Sequence, residues 1–484
     1  MKINYKYFIL FLIAFISLAM HYRHFSKDLM SMHVWRQTQT QSTINSFYNE
    51  DMNILNPRRN ERGNGEGIFR MEFPLMQWLT ACIYKVFGNH IYISRIFMFI
   101  IGLFSVLGMY KMLDAIFGNT SLALIGAWAF NFSPCFYYFT INPIPDNLAL
   151  CCAVWGIALF FRWIKKGGIK LLFFSGLLLS TGALCKLPFI LYFIVPTIYF
   201  FIDAYKNKLS RKIIINAAAC FITIVFPLAW YIAVVPHWEG NGIVNGIMKN
   251  DASSSQIVDY LIGNLISNLP ELLLNYGAVP FFIAGFYFMY RHKVRKNSIY
   301  PIFIFWSLGI LFYFFFEINM IGTVHDYYLF PFYPILFIIV SYGAFNLFSL
   351  NSKFAKYSTL LLLAILPFTA YIRMSTRWEA NSPGFNKDLL IYKDELRNAV
   401  PKNALCIAGN DDSHFIFFYY IDKKGWGFDS DHLTSESLQS MIKSGASYLY
   451  SDSPLIDTGK VIKPYLNQLI MQKGSVKVYS LKKN

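Results

Sequence analysis

Charge is scarce in this 484-residue chain, where Asp, Glu, Lys and Arg together supply 14% of the residues against roughly a quarter in soluble domains. A surface turned wholly to water is thereby excluded. The cysteines Cys82, Cys135, Cys151, Cys152, Cys185, Cys220 and Cys406 are odd in number, have no CxxC spacing and lie mostly in apolar runs, which argues against a disulfide framework or a zinc site. No small-x-small cleavage triplet follows the first apolar run at His21-Tyr22-Arg23-His24, so that run reads as an uncleaved helix behind Lys2 and Lys6. An inverted internal repeat is also missing and charges in mid-helix are few, whereas both are marks of a transport path.

What the chain has instead is apolar length. Hydrophobic residues make up 55% of it and aromatic residues 19%. Stretches close to the ~20 residues that cross a bilayer lie near 7–22, 93–113, 120–139, 147–164, 169–185, 187–204, 213–234, 274–290, 299–317, 328–348 and 357–374. The fold expected is an α-helical polytopic membrane protein with about eleven transmembrane helices. The net charge of +16 is not a nucleic-acid footprint, because the cations fall in short clusters between apolar runs. Arg162, Lys165, Lys166 and Lys170 form one cluster, Lys206, Lys208, Arg211 and Lys212 another, followed by Arg291 to Lys296 and by Lys353 with Lys356. These mark cytoplasmic loops. The alternating loops near 140–147, 236–273 and 318–327 are poor in Lys and Arg, so the expectation is a multi-pass protein of the cytoplasmic (inner) membrane, with its N-terminus inside and its C-terminus outside.

The first outer loop, 23–92, breaks that pattern with Arg23, Lys27, Arg36, Arg58, Arg59, Arg62 and Arg70. Long loops translocate largely regardless of charge, which is one account; cations held for an anion such as a lipid phosphate are the other. Within this loop Pro74 to Phe87 is apolar but too short to span, and it reads as an interfacial helix ended by Gly88. Pro57, Gly63, Gly65 and Gly67 make the preceding stretch irregular backbone. The transmembrane domain is expected over 1–374, and a small soluble extracytoplasmic α/β domain over 375–484. Strands are expected at 404–408, 447–450 and 476–481, with helices at 413–420 and 435–443. Asp411, Asp412, His414 and Asp422 read as a solvated turn and helix start rather than a metal site.

Three outward segments collect polar residues. They are His33 to Thr40 with Gly65 to Leu75, Asn142-Pro-Ile-Pro-Asp-Asn147, and Val324-His-Asp-Tyr-Tyr-Leu-Phe-Pro-Phe-Tyr-Pro334. Each has an ordinary explanation: Asp146 as a helix N-cap, Tyr327 and Tyr328 as an aromatic belt, Arg36 as a loop ion pair, Lys186 as a snorkelling side chain, Glu72 as a partner for Arg70 or Lys85. Their joint occurrence on one face favours a polar cleft. In such a cleft Arg36, Arg62, Arg70, Lys186 and His325, with Tyr327 and Tyr328, would hold a departing phosphate. Glu72 or Asp146 would take a proton from an acceptor hydroxyl. Asp28 and Glu66 stay open as alternative bases.

Trp35-Arg-Gln-Thr-Gln-Thr40, Met71-Glu-Phe-Pro-Leu75, Pro145-Asp146 and His325-Asp-Tyr-Tyr328 with Pro331 and Pro334 resemble the C-type glycosyltransferases, closest to bacterial relatives of protein O-mannosyltransferases and of lipid A aminoarabinose transferases. The resemblance covers roughly residues 1–375. It implies an inverting transferase that takes a sugar from a polyprenyl-phosphate donor to an envelope acceptor (lipid, glycan or protein) on the outer side of the membrane. Some relatives carry an Asp, taken as the base, where this chain has Gln39, so that role does not carry over; Glu72 matches a Glu ahead of the interfacial helix and is the first choice. A polysaccharide polymerase or ligase, or a flippase for lipid-linked sugars, are the competing readings. No cofactor is implied with certainty; a divalent metal ion held by carboxylates and His stays open.

Overall fold

The computed structural model of the chain describes residues 5–63, 65–238, 245–249, 252–297, 299–322, 325–429 and 432–482. Lys2, Val324 and residues 239–244, 250 and 251 of the loop expected at 236–273 lie outside the described residues. Two compact units form. One holds the residues up to Ser26, Met71–Phe73 and Ser94–Thr376; the other holds Lys27–Arg70, Pro74–Ile93 and Arg377–Asn484. Most of the first loop is thus in the same unit as everything after Thr376.

The first unit is helical. Among the described residues, seven helices are long and apolar enough to cross a membrane: Tyr5–His24, Ile91–Phe117, Asp146–Lys166, Leu187–Asn207, Arg211–His237, Asp326–Phe348 and Lys353–Trp378. An eighth span arises if Ser254–Leu273 and Tyr276–Arg291, bent by 91° at their junction, count as one, and Ile169–Cys185 and Tyr300–Phe316 are shorter apolar helices. Phe226, Ile232, Phe312 and Phe368 stand on these helices more than half exposed. Apolar faces this extensive do not persist in water; they face lipid, and the protein is a multi-span membrane protein.

The stretch expected as one span at 120–139 is instead two helices, Thr120–Asn131 and Pro134–Phe139. The reason is Pro134, which cannot donate to the preceding turn and biases Ser133 to extended backbone (φ −65°, ψ 127°). Asp146–Lys166 and Ile169–Cys185 form a tight antiparallel pair. A Cβ on Gly156 would stand 2.7 Å from the Leu179 side chain, and Ser175 Oγ donates to the Gly156 carbonyl at 2.7 Å. Glycine at 156 is what lets these helices approach, and their approach brings the start of one beside the end of the other.

The second unit carries a five-stranded sheet, β1 Leu405–Gly409, β2 Lys424–Gly427, β3 Tyr448–Ser451, β4 Leu466–Lys473 and β5 Val476–Leu481, in the order β2-β1-β3-β5-β4. β1 pairs in parallel with β2 and β3, while β5 runs antiparallel to both β3 and β4. The expected strands at 404–408, 447–450 and 476–481 correspond to β1, β3 and β5; β2 and β4 are additional. Helices Ile416–Ile421 and Ser435–Lys443 stand near the two expected ones. From the first loop this unit takes the helices Val34–Asn49 and Leu75–Phe87, which pack through Ile44, Phe47, Ala81 and Tyr84. Gly88 at φ 87° ends the second of them.

Candidate functional site

Asp146 is the first residue of its helix, behind Pro145 as the cap; it is not itself the N-cap. Lys186 follows the last residue of the antiparallel neighbour, Ile169–Cys185, in extended backbone (φ −159°, ψ 116°). A carboxylate at a helix start and an ammonium at a helix end each sit in a favourable dipole field. Nζ of Lys186 lies 3.7 Å from Oδ1 of Asp146, and both residues are at least 95% buried. Burial takes the snorkelling reading away from Lys186. Its ammonium also lies 4.9 Å from the ring centre of Tyr328 and 5.4 Å from that of Tyr327, a cation held against aromatic faces.

The Tyr pair arrives from a 3-10 turn, Asp326–Phe332, that leads into Tyr333–Phe348. His325 precedes it, stacking on Tyr327 at 5.2 Å and tilting against Tyr328 at 4.7 Å. Both tyrosines are buried, so they are packing and lining groups of this site, not a membrane-interface belt. The Tyr313 hydroxyl donates to the Tyr328 carbonyl at 3.3 Å and fixes the turn to helix Tyr300–Phe316.

Glu72 comes to the same unit on a three-residue segment, Met71–Phe73. Two anchors hold that segment: Phe73 N donates to the Leu184 carbonyl at 3.0 Å, and Trp230 Nε1 donates to the Met71 carbonyl at 2.9 Å. Phe73 packs edge-on against Trp230 at 5.0 Å. Glu72 is 8% exposed, and its charge and that of Asp146 both reach Cys185, the neighbour of Lys186. Glu72, Asp146, Lys186, His325, Tyr327 and Tyr328 are therefore brought together in one unit, on four separate chain segments.

Two residues of this neighbourhood were absorbed into apolar runs by the sequence reading. Arg95, fully buried in Ile91–Phe117, donates through Nη1 to Asn142 Oδ1 at 2.6 Å and to the Ile141 carbonyl at 3.3 Å. Asn147 Nδ2 donates to the carbonyls of Phe139 and Asn142 at 2.8 and 2.9 Å. These bonds fix the Asn142–Asn147 turn that delivers Asp146. Glu317 follows the last turn of Tyr300–Phe316 and is 1% exposed. The signal for both was a lone charge at the end of an apolar stretch, a position that is costly unless it has a use.

Arg36, Arg62 and Arg70 belong to the second unit. Arg36 lies buried on Val34–Asn49 and donates to Gln39 Oε1. Arg62 Nε donates to the Gly65 carbonyl at 3.3 Å. Arg70 donates to the Leu55 carbonyl at 2.8 Å and to Asn56 Oδ1 at 3.1 Å. In the described geometry, Arg62 and Arg70 tie irregular loop backbone together. Of the alternative acids, Asp28 is joined to Lys393 and accepts from Tyr419 Oη at 2.6 Å, and Glu66 pairs with Arg58 at 3.2 Å.

The second unit also contains a cavity of about 660 Å³, bordered among others by His33, Trp35, Asn386, Asp411 and Asp452. Two of its carboxylates are engaged by backbone. Asp411 accepts from Ser413 N and Phe417 N, each at 2.9 Å, and Asp452 accepts from Asn410 N at 2.8 Å. Asp411 thus nucleates the start of Ile416–Ile421, as the turn-and-helix reading expected. Among the described residues no group of three His, Cys, Asp or Glu is placed to hold a metal ion.

Against known proteins, a model of the dolichyl-phosphate-mannose-protein mannosyltransferase family matches residues 72–231, a range that begins at Glu72 and takes in Asp146 and Lys186. No curated protein matches the chain by sequence. Among solved structures it is similar to ArnT from Cupriavidus metallidurans in the apo state, with a TM-score of 0.68 at 12% identity over 97% of each chain. The same enzyme bound to undecaprenyl phosphate matches with a TM-score of 0.64 at 12% identity, over 98% of this chain and 97% of that one. The archaeal oligosaccharyltransferase AglB from Archaeoglobus fulgidus, in complex with an inhibitory peptide and a dolichol-phosphate, matches with a TM-score of 0.59 at 12% identity, over 93% of this chain and 69% of that one.

Proposed function

Because this chain has the C-type glycosyltransferase fold, we propose that it transfers a sugar from a polyprenyl-phosphate donor to an acceptor of the cell envelope, on the outer side of the cytoplasmic membrane. The observation that carries this reading is Lys186, a buried ammonium 3.7 Å from Asp146 and set against Tyr327 and Tyr328. A buried cation beside helix ends suits a phosphate that leaves with negative charge. The undecaprenyl phosphate and dolichol-phosphate bound by two structural neighbours are of that chemistry.

In this mechanism the acceptor hydroxyl oxygen attacks the anomeric carbon as the bond from that carbon to the phosphate oxygen breaks. The electron pair leaves with the phosphate, which Lys186 and His325 receive, and Asp146 holds Lys186 in place. Glu72 takes the hydroxyl proton. One in-line displacement inverts the anomeric centre. A phosphate is already a good leaving group, so cations aimed at it contribute more than an acid would.

The test is mass spectrometry of envelope lipids, glycans and proteins from cells lacking this chain, complemented with wild type or Glu72→Gln. The expected result is one sugar missing from one acceptor, restored by wild type alone, with its polyprenyl-phosphate form accumulating. If no acceptor changes mass while a lipid-linked sugar accumulates on the cytoplasmic face, the flippase reading replaces this one.

A further inference from the structure

Directly after helix Tyr300–Phe316 the chain makes a compact turn in which Met320 N and Ile321 N both donate to the Glu317 carbonyl, at 2.9 and 2.8 Å, and His325 N donates to the Met320 carbonyl at 2.8 Å. The turn is thereby stapled to the segment that carries His325 and the Tyr pair. Glu317 is 1% and Asn319 5% exposed. Among the described residues, Glu317 Oε2 and Asn319 Oδ1 accept no hydrogen bond. Two buried acceptor oxygens two residues apart, both without donors, are costly. The cost is offset when a ligand brings the donors.

Amides line the other side of this turn. A Cβ on Gly322, where φ is 70°, would lie 2.2 Å from Asn268 Nδ2 and 2.5 Å from Asn264 Oδ1, so glycine is needed for the turn to approach them. Lys186 lies close enough for its charge to act on Glu317.

We propose that Glu317 and Asn319 form a sugar subsite beside Lys186, accepting hydrogen bonds from ring hydroxyls while Lys186 faces the phosphate. The class of ligand is a polyhydroxylated sugar, since hydroxyl groups donate and phosphate oxygens do not. A site that bonds hydroxyls discriminates strongly against sugars lacking them, because its acceptors are then left without donors. This subsite rests on the transferase reading above. It goes further in naming where the sugar, as distinct from the phosphate, is recognised.

The test uses the purified full chain in lipid nanodiscs and measures affinity for undecaprenyl phosphate and for undecaprenyl-phosphoryl mannose, glucose, galactose and aminoarabinose. Wild type should bind one sugar-bearing lipid more tightly than the bare lipid. Glu317→Gln and Asn319→Ala should each weaken that lipid by roughly tenfold to a hundredfold, the effect of one lost hydrogen bond to a charged or buried group, and leave bare undecaprenyl phosphate unchanged. Equal weakening of both lipids, or of neither, overturns the subsite while the transferase reading stands. If wild type binds the bare lipid and all four sugar forms equally, the subsite is likewise overturned. Wild type that binds no lipid phosphate at all removes the transferase reading and the subsite with it. If the two variants weaken an added acceptor sugar and no donor lipid, the hydroxyls belong to the acceptor and the donor assignment fails.

Discussion

Lys186 and Asp146 face each other across the matched ends of two antiparallel helices, 3.7 Å apart and both buried. Breaking a buried pair by removing one partner costs about 3–5 kcal/mol. Lys186→Met and Asp146→Asn should therefore each lower the thermal stability of the detergent-solubilised protein. The double variant should regain much of it. Transfer should stay lost in the Lys186→Met and double variants, where the phosphate has no ammonium to meet, and should fall in Asp146→Asn, where Lys186 is no longer held in place. A double variant that recovers activity along with stability would show the pair to be structural.

Arg95 reaches the site only through the turn it braces. Arg95→Lys keeps the charge but loses the fork that serves Asn142 and Ile141 together. The expected outcome is roughly a tenfold fall in kcat, the size of effect that one misplaced hydrogen bond produces, with KM for the donor little changed. Rates normalised to the folded fraction, measured by size-exclusion chromatography, separate this from a general loss of folded protein, which lowers the active fraction and leaves the turnover per folded molecule intact.

Acid should loosen the second unit through Asp28. Burial alone would raise this carboxyl, but the charge and hydrogen bond of Lys393, with the Tyr419 hydroxyl and Leu29 N–H, hold it below the usual carboxylate value. A lowered folded value means that the contact contributes its full stability above about pH 4, the ordinary Asp value, and loses it as pH falls through the folded one. Limited proteolysis of the full chain should show Asp28→Asn less protected than wild type at pH 7, with the difference closing toward pH 3. A gap that stays constant with pH would contradict this.

Much of the fold was readable because apolar length and charge clusters survive without any knowledge of packing. Three strands of the soluble sheet were readable for a similar reason: β1, β3 and β5 are apolar or alternate. Lys424–Gly427 and Leu466–Lys473 were not, since β2 is a four-residue run with two glycines and β4 is largely exposed, which leaves no hydrophobic pattern to detect. The break at Pro134 was legible in principle, but an unbroken hydropathy average concealed it.

The site was legible where turn residues announce a helix end. Asn142-Pro-Ile-Pro-Asp-Asn147, Cys185-Lys-Leu-Pro188 and the His325 segment all do so, and the structure gathers them. Arg95 and Glu317 were hidden because each ends an apolar run that a window average treats as uniform. The arginines of the first loop drew attention by their charge, yet Arg62 and Arg70 bond loop carbonyls and amides, an arrangement that no spacing encodes.

The central claim is that the buried cluster around Lys186 performs glycosyl transfer with Glu72 as the base. The most direct measurement follows release of undecaprenyl phosphate from the sugar-bearing lipid that the purified chain binds, in the presence of acceptor, for wild type, Glu72→Gln and Lys186→Met. The account predicts one lipid phosphate released per sugar transferred by wild type. It predicts a rate lower by a factor of about a hundred or more in Glu72→Gln, from the lower end upward of what a general base contributes, with donor binding retained. It also predicts loss of donor binding in Lys186→Met. Wild-type rates in Glu72→Gln would contradict it.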